Sequence, residues 1–446
     1  MESYSSYKDS GVEWIQKIPF SWNKSRIRMV GKLYGGLTGK KGDDFNNDDN
    51  PSNKPFVPFT NIFNNTYISK NHFQYVNIGE GEHQNRVLKY DLFFLMSSES
   101  YEDLGKCSIL LEDIEELYLN SFCKGYRIKD KRVNPLFLNY QLLGSLHKEM
   151  ISIEGNGFTR INLRQDRLLD IPVFIPPLNE QTQIVSFLDT KTQKIDELIE
   201  KTEQKIKLLR EKRTSLINHC VTKGLNPNVE MKDSGVEWIG EIPRDWGKSK
   251  VKYLTDEHRQ GYYSSEQYSE TGLKVVRITD LNDDRTISID KSPHYNLEDI
   301  EKDRFILKNG DFLFPRTGGV GRFGIFNDTT PSIYGSFLIR FRFNKKIFLQ
   351  FLRYYFDSEI YLNQILSEIH GGVNQNVHVE NIKDCFIYVP GKLEQTQIVE
   401  YLDEQTQKID STIEKETQRI ELLKEYRQSL ISEVVTGKID VRDWNK

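Results

Sequence analysis

The chain has 446 residues and a formal net charge of −4, and 37% of its residues are hydrophobic, 28% charged and 12% aromatic. This length allows two or three domains with separate cores, and the composition is that of an ordinary globular protein. The sequence has no run of 18 apolar residues and no signal-peptide pattern, so we predict neither a membrane span nor secretion. The negative net charge does not itself point to a nucleic-acid binder, although it leaves room for local basic surfaces.

The first predicted element is a motif near the N-terminus that the chain uses twice. KDSGVEWIQKIPFSW begins at Lys8, and KDSGVEWIGEIPRDW begins at Lys232. Surfaces that bind different targets should differ, whereas these two copies are nearly the same. We therefore interpret the four tryptophans of the copies as structural clasps at the roots of two modules: Trp14, Trp22, Trp238 and Trp246.

Each motif is followed by a long segment without obvious repetition, residues 23–172 and 247–386. Apolar patterns in these segments predict strands and helices; the strands are 56–61, 275–279 and 337–343, and the helices are 136–146 and 348–366. A faint common order remains, because Leu88 to Phe94 parallels Leu307 to Phe314, each a turn that leads into an apolar strand. The two segments therefore predict one mixed α and β fold with two recognition surfaces.

The clearest predicted element is a 38-residue helix that also occurs twice. Glu180 to Ile217 recurs as Glu394 to Ile431 with 25 of the 38 positions identical, and neither copy contains glycine or proline. Apolar residues three and four apart form one seam along each helix. Polar residues interrupt the seam, so each helix needs a partner, and the simplest partner is the other copy. We predict an intramolecular coiled coil about 57 Å long.

These elements predict an α+β protein in which two globular mixed α/β domains are joined by two long helices that form an antiparallel intramolecular coiled coil with pseudo-twofold symmetry. The predicted limits are 1–178 for the first domain, 179–222 for the first helical region, 223–390 for the second domain, and 391–446 for the second helical region with the C-terminal tail. A repeated frame with unrelated filling indicates two equivalent modules that act on two different targets.

Cysteine and histidine spacing gives no sign of a disulfide framework or a metal site. The four cysteines lie far apart: Cys107, Cys123, Cys220 and Cys385. The eight histidines form no H-E-x-x-H or similar pattern. We expect reduced, buried thiols in a cytoplasmic protein and no metal ligands.

Catalytic and nucleotide-binding motifs are weak. Gly319 to Gly324 (GVGRFG) matches the dinucleotide pattern G-x-G-x-x-G, but the residues after it predict a strand behind a tight hairpin and not the required helix. Gly35 to Lys41 (GGLTGKK) lacks one glycine and the Ser/Thr of a phosphate-binding loop, so we interpret it as a flexible basic loop that could touch a phosphate. The chain has neither the Asn/Asp-Pro-Pro-aromatic loop of an adenine methyltransferase nor a G-x-S-x-G nucleophile elbow.

Polar and basic residues in glycine-rich loops are the remaining functional candidates. Arginine pairs with guanine, asparagine and glutamine pair with adenine, and lysine or arginine pairs with phosphate. The loops at 155–160 and 371–376 occupy matching places before the two repeated helices. The candidate DNA-binding residues are Lys40, Lys41, Asn156, Thr159, Arg160, Arg277, Arg316, Thr317, Asn374, Gln375 and Asn376.

The whole chain resembles the specificity subunit of type I restriction-modification enzymes. The resemblance is carried by the two KDSGVEWI motifs, by EQTQI from Glu180 and from Glu394 behind a proline-containing strand, and by the closing Val435 to Val441 (VTGKIDV). It implies a non-catalytic subunit that reads an asymmetric bipartite DNA sequence, one half-site per recognition domain. The variable recognition domains allow no assignment of bases to residues.

The same resemblance implies partners and cofactors. The partners would be double-stranded DNA and two methyltransferase subunits docked on the helical regions, with two restriction subunits in complexes that also cleave. S-adenosylmethionine would belong to the methyltransferase subunit, and ATP and Mg²⁺ to the restriction subunit, with no cofactor on this chain. Two alternatives stay open at this point: a coiled-coil scaffold that binds only protein, and a stand-alone nucleotide- or S-adenosylmethionine-dependent enzyme.

Overall fold

The computed structural model describes residues 3–45, 52–263, 268–296, 303–368 and 376–444. The chain forms two compact units. Unit 1 comprises Met1–Glu203 with Gln418–Lys446, and unit 2 comprises Gln204–Thr417. The division falls within both long helices, so each unit holds one globular part and one half of each helix.

The globular part of unit 1 has fourteen described strands and five short α-helices. The strands are β1 Tyr7–Asp9, β2 Lys17–Pro19, β3 Asn23–Arg26, β4 Gly31–Gly35, β5 Asn53–Val57, β6 Gln74–Asn77, β7 Leu92–Leu95, β8 Ser97–Ser98, β9 Cys107–Ile109, β10 Tyr118–Leu119, β11 Cys123–Ile128, β12 Gly155–Asn156, β13 Ile161–Leu163 and β14 Pro172–Ile175. The helices are Ile27–Val30, Phe59–Asn64, Pro135–Leu143, Ser145–Ile153 and Gln165–Asp170, with 3₁₀ turns at Gly42–Asp44 and Lys70–His72.

The globular part of unit 2 has eleven described strands and four short α-helices that lie wholly within the described residues. The strands are β15 Met231–Asp233, β16 Glu241–Pro243, β17 Gly247–Lys250, β18 Thr255–Gln260, β19 Leu273–Val276, β20 His294–Tyr295, β21 Phe312–Pro315, β22 Gly324–Ile325, β23 Ser332–Tyr334, β24 Leu338–Phe343 and β25 Phe386–Val389. The helices are Val251–Leu254, Leu349–Phe356, Glu359–Glu368 and Val379–Asp384, with a 3₁₀ turn at Ile278–Asp280.

The same sheet plan occurs in both units. A four-stranded antiparallel sheet has the order β4-β11-β7-β9 in unit 1 and β18-β24-β21-β22 in unit 2. Beside it lies a three-stranded sheet with one parallel pair, β10-β5-β6 in unit 1 and β20-β19-β23 in unit 2. The prediction of one fold used twice is therefore confirmed.

Both repeated helices are present and are longer than the repeat. The first runs over Leu178–Lys223 and the second over Lys392–Val435. In unit 2, Lys205 contacts Glu416 and Arg213 contacts Asp410. Residues further along the first helix therefore contact residues that come earlier in the second helix. The two helices therefore run antiparallel there. None of the helices in the described part of the chain is both long and apolar enough to cross a membrane.

The repeated polar residues anchor each long helix to its globular part. The buried Glu180 accepts hydrogen bonds from Trp22 Nε1 and the Tyr4 hydroxyl, both at 2.7 Å, and Glu394 accepts one from Trp246 Nε1 at 3.0 Å. These contacts explain why tryptophan and glutamate recur together. Trp22 and Trp246 are buried, as expected for clasps.

The next repeated glutamine and aspartate make a second set of equivalent contacts. Gln181 and Gln395 each accept a backbone N–H from the globular part and donate to a proline carbonyl at the helix start. Tyr140 donates to Asp189 and Tyr354 donates to Asp403, both at 2.6 Å. Burial raises the pKa of each tyrosine to about 12. The repeated residues therefore form the contacts between each long helix and its globular part, as well as the apolar seam of the helix.

Several sequence-based details were wrong. Only part of the strand predicted at 56–61 exists, because β5 ends at Val57 and a helix begins at Phe59 after Pro58. The strand predicted at 275–279 ends at Val276 and gives way to a 3₁₀ turn. Each predicted short helix is split in two, at Gly144 and near Asp357.

The clasp interpretation was also wrong for two of the four tryptophans. Trp14 and Trp238 are 48% and 49% exposed, so they are not buried at the roots of the modules. The prediction of buried thiols was correct, since all four cysteines are buried and none of them forms a disulfide.

His147 gives unit 1 a specific acid sensitivity. The side chain is fully buried, and its Nε2 lies 3.1 Å from the Pro172 carbonyl oxygen. Burial lowers its pKa from an unfolded value near 6.5 to about 4. The folded state binds a proton at His147 less readily than the unfolded state does. The contribution of the neutral ring to the unfolding free energy is therefore fully present above pH 6.5 and is lost as the pH falls toward 4. The loss reaches about 3 kcal/mol.

We therefore expect the unfolding free energy of unit 1 to fall by up to about 3 kcal/mol between pH 6.5 and pH 4 through this residue. His147→Gln should flatten that dependence, whereas the exposed His72→Gln should leave it unchanged. Denaturant titrations at pH 7 and pH 4.5 measure the difference. An equal acid loss in His147→Gln would contradict this assignment.

Candidate nucleic-acid interface

An ion pair fixes the start of the central strand in both units. The Asp91 side chain, 2% exposed, accepts two hydrogen bonds from Arg127 and one from the Leu88 backbone. Asp311, also 2% exposed, accepts the equivalent bonds from Arg342 and the Lys308 backbone. The charged pair is a strong hydrogen-bonded clamp at a buried position. Strands β7 and β21 therefore begin at equivalent ion pairs.

The residues after these strands meet the loop that precedes each long helix. In unit 1, β8 pairs with β13, so Ser97 lies opposite Asn162. In unit 2, Thr317 forms a β-bridge with Asn376, and the Arg316 carbonyl oxygen accepts a hydrogen bond from the Val377 backbone N–H at 2.7 Å. The two units thus bring together the same two chain segments, and the side chains on those segments differ.

In unit 1 this junction is a cleft of about 700 Å³. It is lined by hydroxyl, aromatic and charged side chains: Phe59, Thr60, Phe63, Ser97, Ser98, Glu99, Ser100, Asp103, Phe122, Thr159 and Arg160. Hydroxyl groups both donate and accept, and aromatic faces accept stacked bases or cations. Such a lining suits the polar edges and flat faces of nucleotides.

Arg160 is held in place at this cleft. Its Nε and Nη2 groups donate to Ser97 Oγ at 3.3 and 3.1 Å, and its guanidinium carbon lies 5.6 Å from the Phe122 ring centre. A guanidinium has five N–H donors in a fixed fork, so further donors remain for a ligand. Arg160 is therefore oriented and still able to bind.

The tip of the same loop presents an aromatic ring. Phe158 is fully exposed, and the Tyr101 hydroxyl donates to the adjacent Gly157 carbonyl at 3.2 Å. Gly157 has a φ of 136°, which favours glycine. The loop is thus pinned on both sides of an exposed phenyl ring.

Of the sequence-predicted residues, the described members of the two matched loops come together with a second segment. Asn156 and Thr159 are exposed beside Arg160 in unit 1, and Arg316, Thr317 and Asn376 meet in unit 2. Asn374 and Gln375 lie outside the described residues. The assignment of these residues to DNA stays a prediction.

Two other predicted residues have intramolecular partners. Lys40 Nζ lies 2.6 Å from Glu82, with only 9% of the lysine side chain exposed, and this bond lowers the pKa of Glu82 to about 2. Arg277 pairs with Asp280 at 3.0 Å and also donates to the Lys291 carbonyl. Neither Lys40 nor Arg277 is a freely presented cation.

The glycine loop at 35–41 has a structural explanation. A Cβ atom on Gly36 would lie 2.0 Å from the Asn120 carbonyl oxygen, and one on Gly261 would lie 2.1 Å from the Gly335 carbonyl oxygen. Both glycines allow a close backbone approach in the same place of each unit. Lys41 is exposed, and its backbone N–H donates to Asp44. A bound phosphate is therefore not needed to explain Gly36.

Sequence reasoning missed Ser97 to Ser100, Phe122 and the two stacked rings of Phe59 and Phe63. A signal for the serines was available. If the parallel between Leu88 to Phe94 and Leu307 to Phe314 is continued, Ser97 falls opposite Thr317, as the structure has it. Phe122, Phe59 and Phe63 come from other parts of the chain and gave no such signal.

The family model of the type I restriction modification DNA specificity domain matches this chain twice, over residues 19–208 and 243–424. The chain belongs to this family. Each match covers one globular part and the beginning of the long helix that follows it. DNA specificity is therefore the function of the chain, and two specificity domains suit a site read in two parts. Subunits of this family are generally non-catalytic components of restriction-modification complexes.

Two specificity subunits are similar in sequence to most of this chain. The type I restriction enzyme MjaVIII specificity subunit of Methanocaldococcus jannaschii is 27% identical over 327 residues, which is 71% of this chain and 73% of the relative. The EcoKI specificity subunit of Escherichia coli is 24% identical over 437 residues, 95% of this chain and 90% of the relative.

Two solved structures of this family share the fold. A chain from a structure of a type I R-M system superposes with a TM-score of 0.71 at 16% identity, over 95% of this chain and 99% of that chain. The HsdS subunit from Thermoanaerobacter tengcongensis gives 0.54 at 16% identity, over 95% and 98%.

Proposed function

We propose that this specificity subunit reads an asymmetric bipartite DNA sequence, with residues 1–178 and 223–390 each contacting one half-site. One observation carries the proposal. The two units bring the same two segments together at the end of the same strand, and the side chains there differ. Unit 1 presents Ser97, Phe122 and Arg160, whereas unit 2 presents Arg316, Thr317 and Asn376. Two different half-sites require different side chains, and here these are carried by equivalent backbone segments.

The side chains at both junctions suit base edges. Arginine pairs bidentately with guanine in the major groove, asparagine pairs with adenine, and serine or threonine bonds either base. The candidate DNA-binding residues in these junctions are Asn156, Thr159, Arg160, Arg316, Thr317 and Asn376. Phe158 adds an apolar tip that could contact a base step, a role that exposed phenylalanines have in other DNA-binding proteins.

The long helices take a second role in the proposal. They dock two methyltransferase subunits, which would bind S-adenosylmethionine and methylate adenine. In complexes that also cleave, two restriction subunits would supply ATP- and Mg²⁺-dependent translocation and cleavage. The repeat supports this, because one surface present twice suits two copies of one partner.

The test is a genome-wide map of N6-methyladenine in cells that express this chain with its cognate methyltransferase subunit. We expect one motif with two short blocks separated by a fixed unspecified gap. Exchange of residues 23–172 for another domain of this kind should change one block only. A stable and active complex that produces no such motif would overturn the proposal.

Arg160→Ala is expected to cost about 1–3 kcal/mol of discrimination at one base pair of one half-site, because it removes an oriented guanine-reading fork. Methylation rates on oligonucleotides with each single substitution measure the loss. Arg164→Ala, an exposed arginine paired with Asp166, is the matched control. Uniform weakening at all positions, with a smaller salt slope, would instead identify Arg160 as a phosphate contact.

A further inference from the structure

An exposed phenyl ring lies at the tip of the β12–β13 hairpin of unit 1. Phe158 is 103% exposed, and among the described residues the next most exposed large hydrophobic side chain is Tyr263, at 77%. The exposed residues around the ring on the hairpin are polar: Asn156, Thr159, Arg160 and Asn162. The ring therefore gains no burial from the fold of the chain and is free to contact another molecule.

The tip that carries this ring is held in one conformation. A Cβ atom on Gly157 would lie 2.2 Å from the Arg160 carbonyl oxygen, so the turn is tight. The Tyr101 hydroxyl donates to the Gly157 carbonyl oxygen, and Asn162 Nδ2 donates to the Arg160 carbonyl oxygen, both at 3.2 Å. A side chain on a turn that is already ordered loses little conformational entropy when it binds. The hairpin thus presents Phe158 as a preorganised contact.

The position of the ring favours DNA over a protein as the molecule that it contacts. Its neighbours on the hairpin include Arg160, the candidate base-reading residue of unit 1. The matching loop at 371–376 has the sequence GGVNQN, without an aromatic residue. A protein subunit that binds both halves of the chain would need the same contact twice. Two different DNA half-sites need different contacts, so we assign Phe158 to the half-site of unit 1.

We propose that Phe158 inserts between two base pairs of the half-site that unit 1 reads and unstacks that base step. Phenylalanine is one of the apolar side chains that other DNA-binding proteins use as such a wedge. This inference rests on the proposed function, and it adds a local deformation of the DNA to the reading of base edges.

The energetics of insertion select the base step. Burying one phenyl ring and unstacking one base step change the free energy by similar amounts of opposite sign. The inserted state is therefore favoured only where the step unstacks easily, and pyrimidine–purine steps do so most readily. We expect a TA or CA/TG step at the inserted position. Phe158 would thus contribute specificity through DNA deformability, without a hydrogen bond to a base.

The experiment uses the full chain assembled with its cognate methyltransferase subunit and duplexes that carry the bipartite motif from the methylation map. Exchange of residues 23–172 identifies the block that unit 1 reads. 2-Aminopurine then replaces the adenines of that block on both strands, one at a time and never at the methylated adenine. Its fluorescence rises when stacking is lost. In a second set of duplexes, a single nick is placed at each step of the block in turn.

We expect the unsubstituted chain to raise the fluorescence several-fold at one base step. A nick at that step should tighten binding about tenfold, because it removes part of the deformation energy and leaves every base edge in place. Phe158→Ala should abolish the rise in fluorescence and should bind the nicked and intact duplexes equally. Phe158→Leu keeps an apolar wedge and should keep most of both effects.

The matched control is Phe20→Ala. Phe20 is also an exposed phenylalanine of unit 1, with 65% of the residue exposed, and it lies outside the hairpin. The chain has Arg244 at the equivalent position of the second KDSGVEWI motif, so a phenylalanine is not required there. This variant should retain the fluorescence rise and the effect of the nick. Circular dichroism identical to that of the unsubstituted chain shows that each variant is folded.

Three results would overturn the inference. The first is a complex that methylates its bipartite motif without unstacking any position other than the methylated adenine. The second is an equal rise in fluorescence with Phe158→Ala. The third is loss of a methyltransferase subunit from the Phe158→Ala complex, which would make the ring a protein contact. Failure of the proposed function is distinct from these, because the unsubstituted chain would then produce no bipartite motif at all.

Discussion

Replacing Trp22 with alanine is expected to lower the unfolding free energy of unit 1 by about 3–5 kcal/mol, the usual cost of truncating a buried tryptophan. Trp22 is 0% exposed. It packs edge-to-face on Tyr4 and Phe137, with ring centres 6.1 Å apart in both pairs. It also closes the joint with the long helix, because its Nε1 donates to the buried Glu180 at 2.7 Å. The loss therefore combines a cavity with a carboxylate that has lost one donor.

Trp22→Phe separates these two contributions. Phenylalanine keeps most of the apolar contact and removes the donor, so we expect a smaller loss of about 1–3 kcal/mol. Trp246→Ala is the equivalent change in unit 2, where the acceptor is Glu394. Calorimetry that resolves two transitions should show each alanine variant lowering only the transition of its own unit.

Trp14→Ala and Trp238→Ala are the controls within the same repeated motif. Both side chains are about half exposed, so their removal should change the unfolding free energy by no more than about 0.5 kcal/mol. Equal losses for Trp14 and Trp22 would show that the motif as a whole, and not the bond to Glu180, holds the joint.

The repeat made the frame of this protein predictable. Identical residues at 180, 181 and 189 recur at 394, 395 and 403 because each contacts its own globular part in the same way. A seam of alternating three- and four-residue steps fixed the helices, since no other regular structure buries such a pattern. The duplication thus acted as a comparison of two related sequences inside one chain.

The errors have local and long-range causes. At 56–61 the alternating apolar residues concealed a helix, because Pro58 precedes Phe59 and the spacing of Phe59, Ile62 and Phe63 suits a helical turn. Lys40 looked like a free loop cation, and its partner Glu82 lies 42 residues away. Local patterns cannot reveal a partner that only the folded chain brings near.

Only part of the candidate interface could be predicted from the sequence, because its other residues come near only in the folded chain. The loops at 155–160 and 371–376 could be found because they stand at equal places before the two repeats. The serines at 97–100 belong to a segment that meets the loop only through sheet pairing. Phe122 reaches the cleft from the turn that precedes β11.

Insertion of four residues after both Lys201 and Lys415 is expected to leave both half-sites unchanged and to lengthen the spacer between them by about two base pairs. The long helices and the linker at 225–230 are the chain connections between the two globular parts. Four helical residues add about 6 Å, and DNA rises about 3.4 Å per base pair. The methylation map of the variant gives the spacer and both half-sites in one measurement.

Two further insertion variants make this test quantitative. Seven inserted residues add about 10.5 Å, so the spacer should grow by about three base pairs, and the seven-residue period keeps the apolar seam in register. Insertion in one helix only shifts its seam against the antiparallel partner, which breaks pairs such as Arg213 with Asp410 and should abolish methylation. A spacer that stays constant as the helices grow would mean that the gap is set elsewhere, and an altered half-site would mean that the helices also shape the recognition surfaces.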